Sequence, residues 1–388
     1  MSVTRAAGFL ATGTTAGLKA SGRPDLALVV NTGPHFHAAA VFTGNRVKAA
    51  PVLWSQQVLA DGRLQAVVLN SGGANACTGP EGFADTHRTA EHVAEVLTGS
   101  SAPVGAIDVA VCSTGLIGER LPMDLLTAGI TDAAASLSAN GGATAAEAIM
   151  TTDTRAKQAS YADEGWSVGG MAKGAGMLAP GLATMLVVLT TDAVVDPAKL
   201  QGQLEQACRR SFDRIDSDGC MSTNDTVLLL SSGASGVRPH AIDFQAALDE
   251  LCADLALQLL HDAEGAAHDI AITVTHAATE DDAVEVGRAI ARSNLFKCAI
   301  FGGDPNWGRV LAAIGTTSAA FEPDRLDVSF NGVQVCRDGQ IGDPRDLVDL
   351  SGRAVEVRVD LRAGPRSATV WTNDLTYDYV RENAEYAT

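Results

Sequence analysis

The sequence has few aromatic residues, few cations and no long apolar segment. Phe, Trp and Tyr make up 5% of the 388 residues, and 28 Lys and Arg stand against 46 Asp and Glu, which gives a formal net charge of −18. Phosphate binding needs a basic surface, so this balance argues against nucleic acid and anionic membranes as partners. No apolar run approaches the roughly 20 residues that span a bilayer, and the N-terminus lacks the apolar core of a signal peptide.

Cysteine is present but shows no pairing pattern. The seven cysteines are odd in number and include no Cys-x-x-Cys motif. This distribution predicts reduced, mostly buried thiols in a cytoplasmic protein, and neither disulfides nor a zinc site. His35 and His37 have strand spacing, but no third ligand accompanies them. The sequence therefore predicts no metal.

Apolar runs of strand length alternate with helical patterns along the chain, which predicts a mixed α/β or α+β fold. Alternating polarity at 354–361 indicates a strand with one buried and one exposed face, and 159–170 is predicted to be a loop. The predicted strands are 26–31, 38–43, 66–70, 107–112, 184–190, 226–231, 270–275 and 367–372. The predicted helices are 82–97, 122–137, 197–211, 241–260 and 281–293.

The most informative stretch is 173–184, which reads Lys-Gly-Ala-Gly-Met-Leu-Ala-Pro-Gly-Leu-Ala-Thr and runs into an apolar strand pattern. A threonine at this junction can cleave its own chain, because its hydroxyl can attack the carbonyl of Ala183. Hydrolysis of the ester would free the α-amine of Thr184. Such an amine titrates near about 7.7–8.0 and can act as the base for its own hydroxyl. An ordinary turn that enters a core strand is the alternative.

The same stretch contains a weak dinucleotide-binding pattern, Gly174-x-Gly176-x-x-Ala179. That motif must follow a strand and open a helix that holds the pyrophosphate. A Pro-Gly turn and a strand-like run follow here instead. An oxidoreductase that binds NAD(P) is therefore the weaker hypothesis.

Small polar residues that follow predicted strands mark two further candidates. The segment 70–79, Asn-Ser-Gly-Gly-Ala-Asn-Ala-Cys-Thr-Gly, lets backbone amides approach a ligand or forms a tight strand-to-helix turn. In 113–118, Ser-Thr-Gly-Leu-Ile-Gly, the Thr114 hydroxyl and the Gly115 amide can form an oxyanion hole. Helix capping by Thr114 is the alternative.

Two polar segments leave a binding role and a structural role open. Thr151 and Thr152 lie in a hydroxyl-rich cluster that either binds substrate or caps the next element. Arg309 ends the unusual sequence Asp-Pro-Asn-Trp-Gly-Arg and can hold a carboxylate or a structural ion pair.

Together these segments resemble the ornithine acetyltransferase family, also called the bifunctional glutamate N-acetyltransferases of arginine biosynthesis. The resemblance covers nearly the whole chain, and its most specific part is the Lys-Gly-x-Gly-Met stretch that leads to Ala-Thr-Met-Leu. The segments that carry it are 70–79, 113–118, 149–154, 173–184, 222–227, 304–309 and 371–384.

The resemblance implies a fold of stacked helix and sheet layers, similar to the DmpA-like N-terminal-nucleophile enzymes. It implies self-cleavage between Ala183 and Thr184, which would give an alpha chain of residues 1–183 and a beta chain of residues 184–388. Such chains stay together, and a heterotetramer of two alpha and two beta chains is expected.

The family's functional positions carry over where the motifs match. Thr184 resembles the nucleophile, and Thr114 and Gly115 resemble the oxyanion-hole donors. The resemblance implies that Lys173 binds the carboxylate of N-acetylornithine and Glu264 its ammonium, with the C-terminal carboxylate as another ammonium acceptor. The implied substrate contacts are Thr151, Thr152, Lys173, Thr184, Glu264, Asn383 and Thr388.

The chain departs from the family at 264–268, where Glu-Gly-Ala-Ala-His replaces the usual Glu-Gly-Ala-Thr-Lys. Glu264 is kept, and the fine substrate contacts of the segment are left open. Gly73, where the family more often has Asn, is a smaller change.

The implied enzyme is an acetyltransferase that moves acetyl from N-acetylornithine to glutamate through an acetyl-threonyl intermediate. It needs no metal or dinucleotide, and acetyl-CoA is left open as a second acetyl donor. A related N-terminal-nucleophile amidohydrolase or aminopeptidase, which would admit water to the same ester, is the alternative.

Overall fold

The computed structural model describes residues 2–98, 103–179 and 185–385, which form fifteen strands and ten α-helices. The strands are β1 (Phe9–Thr14), β2 (Leu26–Asn31), β3 (His37–Phe42), β4 (Ala66–Ser71), β5 (Val109–Thr114), β6 (Lys157–Asp163), β7 (Trp166–Lys173), β8 (Leu186–Thr191), β9 (Thr226–Ser231), β10 (Asp269–Ala277), β11 (Asp327–Phe330), β12 (Val333–Arg337), β13 (Gln340–Ile341), β14 (Ala354–Asp360) and β15 (Arg366–Asn373). The helices are α1 (Ala50–Val58), α2 (Gly79–Val96), α3 (Met123–Ala135), α4 (Gly142–Ala148), α5 (Pro197–Arg210), α6 (Ala241–His261), α7 (Glu280–Ala291), α8 (Asn294–Phe301), α9 (Trp307–Ile314) and α10 (Tyr377–Glu385).

The described strands form three sheets. Sheet I has the order β1-β2-β4-β5, sheet II the order β3-β9-β8-β7-β6, and sheet III the order β13-β12-β11-β14-β10-β15. Each sheet contains one parallel pair, namely β4 with β5, β8 with β9, and β10 with β14. The remaining pairs are antiparallel.

Sheet II lies inside the molecule because its central strands are apolar on both faces. In β8, Leu186 and Val188 join a hydrophobic cluster with sheet I, whereas Val187 and Leu189 join a second cluster with α5 and α6. Helices α2 and α3 contribute to the first cluster, so the layers run from helices through two sheets to helices. The predicted mixed α/β fold of stacked layers is confirmed.

Local sequence fixes where these elements begin. In α5, Pro197 occupies the first helical position and the Asp196 carboxylate accepts a hydrogen bond from the Ala198 amide at 3.1 Å, which caps the helix. Strand β14 alternates between exposed and buried residues, and Val355 and Val357 face the core of sheet III. The predicted one-sided strand at 354–361 is therefore confirmed.

The prediction of a loop at 159–170 is wrong, because this segment forms most of a hairpin of β6 and β7. Glycine normally weakens a strand, and this hid β7 in the sequence. A Cβ at Gly169 would come within 2.2 Å of the Ser2 carbonyl oxygen, and one at Gly170 within 2.8 Å of the Leu189 side chain. The clash with a backbone carbonyl makes glycine necessary at position 169, whereas a Cβ at Gly170 would require leucine side chains to shift. Within the described residues, no helix combines the length and apolarity needed to cross a bilayer.

Candidate active site

A cavity of about 270 Å³ opens at the end of sheet II where β7 ends. It brings together seven of the predicted site residues, which are Thr114, Gly115, Thr151, Thr152, Lys173, Glu264 and Asn383. Its other lining residues are Ala74, Ile117, Gly176, Met177, Asp218, Cys220, Ser222, Thr223, Asn224 and Tyr379. The remaining predicted residues, Ala183, Thr184 and Thr388, lie outside the described residues.

The side chains of the cavity lie at the ends of strands, after α6 and on the C-terminal helix. Thr114 is the last residue of β5 and Lys173 the last of β7. Glu264 follows α6, and its amide donates to the Ala175 carbonyl at 3.0 Å. Asn383 comes from α10, close to the described end of the chain. Residues far apart in sequence thus converge because β5 of sheet I and β7 of sheet II end beside the same cavity.

The backbone at Gly115 requires glycine. Its φ is +128°, and a Cβ there would lie 2.7 Å from the Gly73 nitrogen. Among the described residues, none accepts a hydrogen bond from the Gly115 amide. Helix α3 begins only at Met123, so Thr114 does not act as a helix cap. The Gly115 amide is therefore available to an added anion.

Lys173 donates a hydrogen bond to the Thr114 hydroxyl and so leaves the hydroxyl proton free to donate. The Lys173 side chain is almost fully buried, and its Nζ donates to Thr114 Oγ1 at 3.2 Å. A hydroxyl that accepts from an ammonium keeps its own proton free to donate elsewhere. Burial lowers the pKa of Lys173, while nearby Asp153 opposes that shift. Thr114 and Gly115 can together offer one O–H and one N–H donor to a developing oxyanion.

Asp153 connects the threonine pair to the end of β7. Its carboxylate accepts hydrogen bonds from Lys157 Nζ at 2.5 Å, the Gly174 amide at 2.7 Å and the Thr151 amide at 2.9 Å. Burial would raise the pKa of Asp153, but Lys173 and Lys157 lower it below its usual value. Asp153 is thus a buried anion that fixes the Thr151 backbone.

Glu264 also lines the cavity, where it packs against a glycine. A Cβ at Gly176 would meet the Glu264 carboxylate at 2.5 Å, so a larger residue there would displace this carboxylate from its place in the cavity. Burial raises the pKa of Glu264, hydrogen bonds from Thr152 and Asn383 oppose the shift, and the charge of Asp218 adds to it. The cavity therefore presents a cation and carboxylates on separate elements.

The sequence analysis missed several residues of this wall. Tyr379 donates its hydroxyl to Asp218 at 2.7 Å, and Asp218 also accepts from the Leu178 amide at 2.7 Å. Burial raises the pKa of Tyr379 above its usual range. No sequence pattern marks Asp218. Asn224, by contrast, lies in the segment 222–227 that supports the family resemblance, so it carried a signal without an assigned role.

The other candidate motifs have structural roles. The Asn306 side chain caps α9, and Arg309 donates through Nη1 to the Leu295 carbonyl. His268 contacts Asp374 at 2.7 Å and the Leu350 carbonyl at 3.1 Å, and it does not line the cavity. The replacement of the family's usual lysine at this position therefore leaves the described cavity wall intact.

The alternatives based on other ligands find no support. After the loop that follows β7, the next described element is strand β8, so no described helix opens there to bind a pyrophosphate. In the described part of the chain, no cluster of three or more His, Cys, Asp or Glu side chains could hold a metal ion.

Comparison with known proteins gives consistent matches along the chain. A model of the ArgJ family matches residues 10–388. The chain is 64% identical to the arginine biosynthesis bifunctional protein ArgJ of Streptomyces coelicolor and 61% identical to that of Thermobifida fusca, and both matches cover 100% of each chain. A solved ornithine acetyltransferase from Mycobacterium tuberculosis, complexed with ornithine, is 61% identical. That match covers 48% of this chain and 96% of the other, with a TM-score of 0.46.

Proposed function

Because the chain belongs to the ArgJ family, we propose that it transfers acetyl from N-acetylornithine to glutamate through an ester on Thr184. The observation that carries this assignment is the cavity, where a buried lysine and an available hydroxyl and amide pair face a carboxylate. Lys173 suits a substrate carboxylate and Glu264 a substrate ammonium, while Thr151, Thr152 and Asn383 complete the contacts. N-acetylornithine carries one group of each sign.

In the first half-reaction, the Thr184 hydroxyl attacks the acetyl carbonyl while the α-amine of Thr184 takes the hydroxyl proton. Thr114 and Gly115 stabilise the oxyanion. The intermediate collapses, the carbon–nitrogen bond breaks, and the ornithine amine leaves with the proton. Thr184 then holds the acetyl group as an ester.

In the second half-reaction, the amine of glutamate attacks the ester carbonyl and forms a new amide. The Thr184 oxygen leaves and recovers its proton, which yields N-acetylglutamate and free enzyme. Because ornithine departs before glutamate reacts, we expect ping-pong kinetics. The related hydrolase would use water in place of glutamate at this step, and acetyl-CoA would load the same hydroxyl by losing its thiol.

Maturation precedes this chemistry, since the α-amine of Thr184 is free only after the bond to Ala183 is broken. The proposed fragments are residues 1–183 and 184–388. Strands β7 and β8 pair across the proposed break and β3 pairs with β9, which favours fragments that remain associated. Assembly into a heterotetramer of two alpha and two beta chains is part of the proposal.

Denaturing mass spectrometry of the purified protein tests both steps. We expect two fragments that meet between Ala183 and Thr184, and an acetyl mass on the 184–388 fragment after N-acetylornithine is added. Thr184→Ala should stay uncleaved and inactive, because alanine has no hydroxyl to attack. A fully active wild-type protein in one uncleaved chain would contradict the proposal.

Acceptor choice separates the transferase from its alternative. The acetylated enzyme should form N-acetylglutamate faster than free acetate when glutamate is supplied. Acetate as the main product, at any glutamate concentration, would identify the hydrolase instead. Acetyl-CoA, tested as the donor in the same assay, decides whether the enzyme has the second activity.

A further inference from the structure

Asn224 and Asp225 are consecutive buried residues immediately before β9, and the proposed chemistry assigns neither of them a role. They are 4% and 0% exposed. Their side chains reach two different parts of the candidate site. Both belong to the Ser-Thr-Asn-Asp-Thr-Val segment, whose presence the family resemblance notes but does not explain.

Asn224 forms hydrogen bonds to the two segments that surround the candidate oxyanion hole. Its Nδ2 donates to the Ser113 carbonyl at 2.8 Å and to the Ala74 carbonyl at 2.6 Å. Its Oδ1 accepts the Thr223 hydroxyl at 2.6 Å, so both polar atoms of the side-chain amide have partners within the protein. Ser113 directly precedes Thr114, and the Asn224 contact therefore restrains the backbone that leads into both candidate donors.

Asp225 accepts a hydrogen bond from the residue that follows the proposed nucleophile and leads into β8. Its Oδ1 accepts from the Met185 amide at 3.1 Å and its Oδ2 from the Ser222 amide at 3.0 Å. Met185 is the residue after Thr184. No lysine or arginine forms an ion pair with this carboxylate among the described residues. Burial raises the pKa of Asp225, and the two amide hydrogen bonds, the Thr43 hydroxyl and the charge of Lys173 oppose that shift. A buried carboxyl group is costly unless such contacts satisfy it, which indicates that the bond to Met185 matters.

We propose that Asn224 and Asp225 are a positioning pair that fixes the nucleophile of this site relative to its oxyanion hole. Because the two residues are adjacent, one short piece of backbone joins the hydrogen bond to Ser113 with the hydrogen bond to Met185. The attacking hydroxyl and the donors must keep a fixed separation, and a misplacement of about 1 Å can cost roughly 10²-fold in rate. The inference rests on the proposed function, since it takes Thr184 as the nucleophile.

Three variants test this assignment. Asn224→Ala removes both carbonyl contacts, and Asp225→Asn leaves one backbone amide without its acceptor. Ser231→Ala is the matched control, because Ser231 is equally buried at the other end of β9 and donates to the Ala193 carbonyl at 2.9 Å. The assays are self-cleavage by intact mass, kcat and KM with N-acetylornithine, and the p-nitrophenol burst from p-nitrophenyl acetate.

A positioning role predicts a loss in kcat of about 10²-fold for Asn224→Ala and Asp225→Asn, with KM changed by no more than about threefold. Self-cleavage and the p-nitrophenol burst should slow as well, since both use the same hydroxyl. Ser231→Ala should keep its kcat. A kcat for Asn224→Ala equal to that of Ser231→Ala, or a loss that appears only in KM, overturns the proposal.

A double-mutant cycle separates positioning from general loss of structure. If Asn224 acts through the Thr114 loop, the rate loss from Asn224→Ala should shrink in a Thr114→Ala background. Fully additive losses would overturn the role assigned to Asn224. If Asn224→Ala does not fold, Asn224→Ser keeps one donor and takes its place in the cycle.

The p-nitrophenyl acetate burst keeps the two hypotheses distinct, because it reports the nucleophile without N-acetylornithine. A wild-type protein that gives the burst but ignores N-acetylornithine refutes the proposed function and leaves the positioning test intact. A wild-type protein that reacts with both, combined with normal Asn224→Ala and Asp225→Asn variants, refutes only the positioning pair.

Discussion

Both ends of sheet II bury polar side chains, but the candidate site lies at one end only. At the end away from the cavity, the Asp192 carboxylate accepts from the Ser167 amide at 2.7 Å, the Ser167 hydroxyl at 2.8 Å and the Ala7 amide at 2.9 Å. At the cavity end, Lys173 is almost fully buried, and within the described residues its Nζ donates one hydrogen bond, to Thr114 Oγ1. Unused donors and charges beside an open volume, and not buried polarity alone, mark the site.

The largest effect expected from this comparison is that of Lys173→Met. Truncating one member of a buried, hydrogen-bonded charge contact costs about 2–5 kcal/mol, so kcat/KM for N-acetylornithine should fall by about 30-fold or more. Self-cleavage must be checked first, because Lys173 lies in the maturation loop and can assist that step. A variant that matures normally and keeps wild-type kcat/KM would show that Lys173 does not bind the substrate carboxylate.

The α-carboxamide of N-acetylornithine sharpens this result. The wild-type enzyme should discriminate against it, because the amide lacks the charge that Lys173 recognises. Lys173→Met should treat the acid and the amide more nearly alike. If both enzymes discriminate equally between the acid and the amide, Lys173 does not bind the substrate carboxylate and only supports Thr114.

An intermediate effect is expected for Glu264→Gln, and it should depend on pH. Burial raises the pKa of Glu264, so the carboxylate gains its proton at a higher pH than an ordinary glutamate as the solution is acidified. Ammonium binding needs the ionised form, and kcat/KM should therefore fall on the acid side of the profile. Glu264→Gln should weaken transition-state binding by about 1.5–3 kcal/mol, which lowers kcat/KM. It should also remove the fall in kcat/KM at acid pH that the titration of Glu264 causes.

A pH profile of kcat/KM for the two enzymes provides the measurement. Asn383→Ala is a useful companion, because it removes a hydrogen bond that opposes the raised pKa and should shift the acid limb to higher pH. An acid limb that is identical in wild type and Glu264→Gln would assign that titration to another group.

The smallest kinetic effect is expected for Asp192→Asn, at the saturated end of sheet II. The asparagine would turn an amide group toward backbone and hydroxyl donors and leave at least one buried donor unpaired, at a cost of about 1–3 kcal/mol in stability. Its melting temperature at fixed concentration should fall, while kcat/KM should match that of the wild type. A large loss in kcat/KM without a change in melting temperature would break the contrast between the two ends.

Sequence patterns located much of the secondary structure because buried strands are continuous apolar runs. β2 and β9 match their predicted bounds, whereas β7 was missed because its glycines conceal it. Helix α10 was also missed, because only nine residues carry its apolar spacing of Tyr377, Val380 and Ala384.

The convergence of the site residues was expected only through the family resemblance. Thr114 and Lys173 are 59 positions apart, and no local pattern states that β5 and β7 end beside one cavity. Asp153 and Asp225 lie in segments that carry the resemblance but had no assigned role, and Asp218 had no sequence signal, because its partners Leu178 and Tyr379 come from distant segments. The roles of Thr184 and Thr388 remain predictions.

The strand order of sheet II has a consequence for how the mature protein assembles. Strands β8 and β9 follow the proposed cleavage point and are flanked by β3 on one side and β7 on the other, which precede it. Once that bond is broken, the two polypeptides share one sheet, and recovery from full denaturation becomes a bimolecular reaction. Refolding yield and apparent melting temperature should then rise with protein concentration, whereas in the uncleaved Thr184→Ala chain the strands of sheet II should come together in a first-order step. Cleavage would thus change the formation of sheet II from folding within one chain to association between two chains.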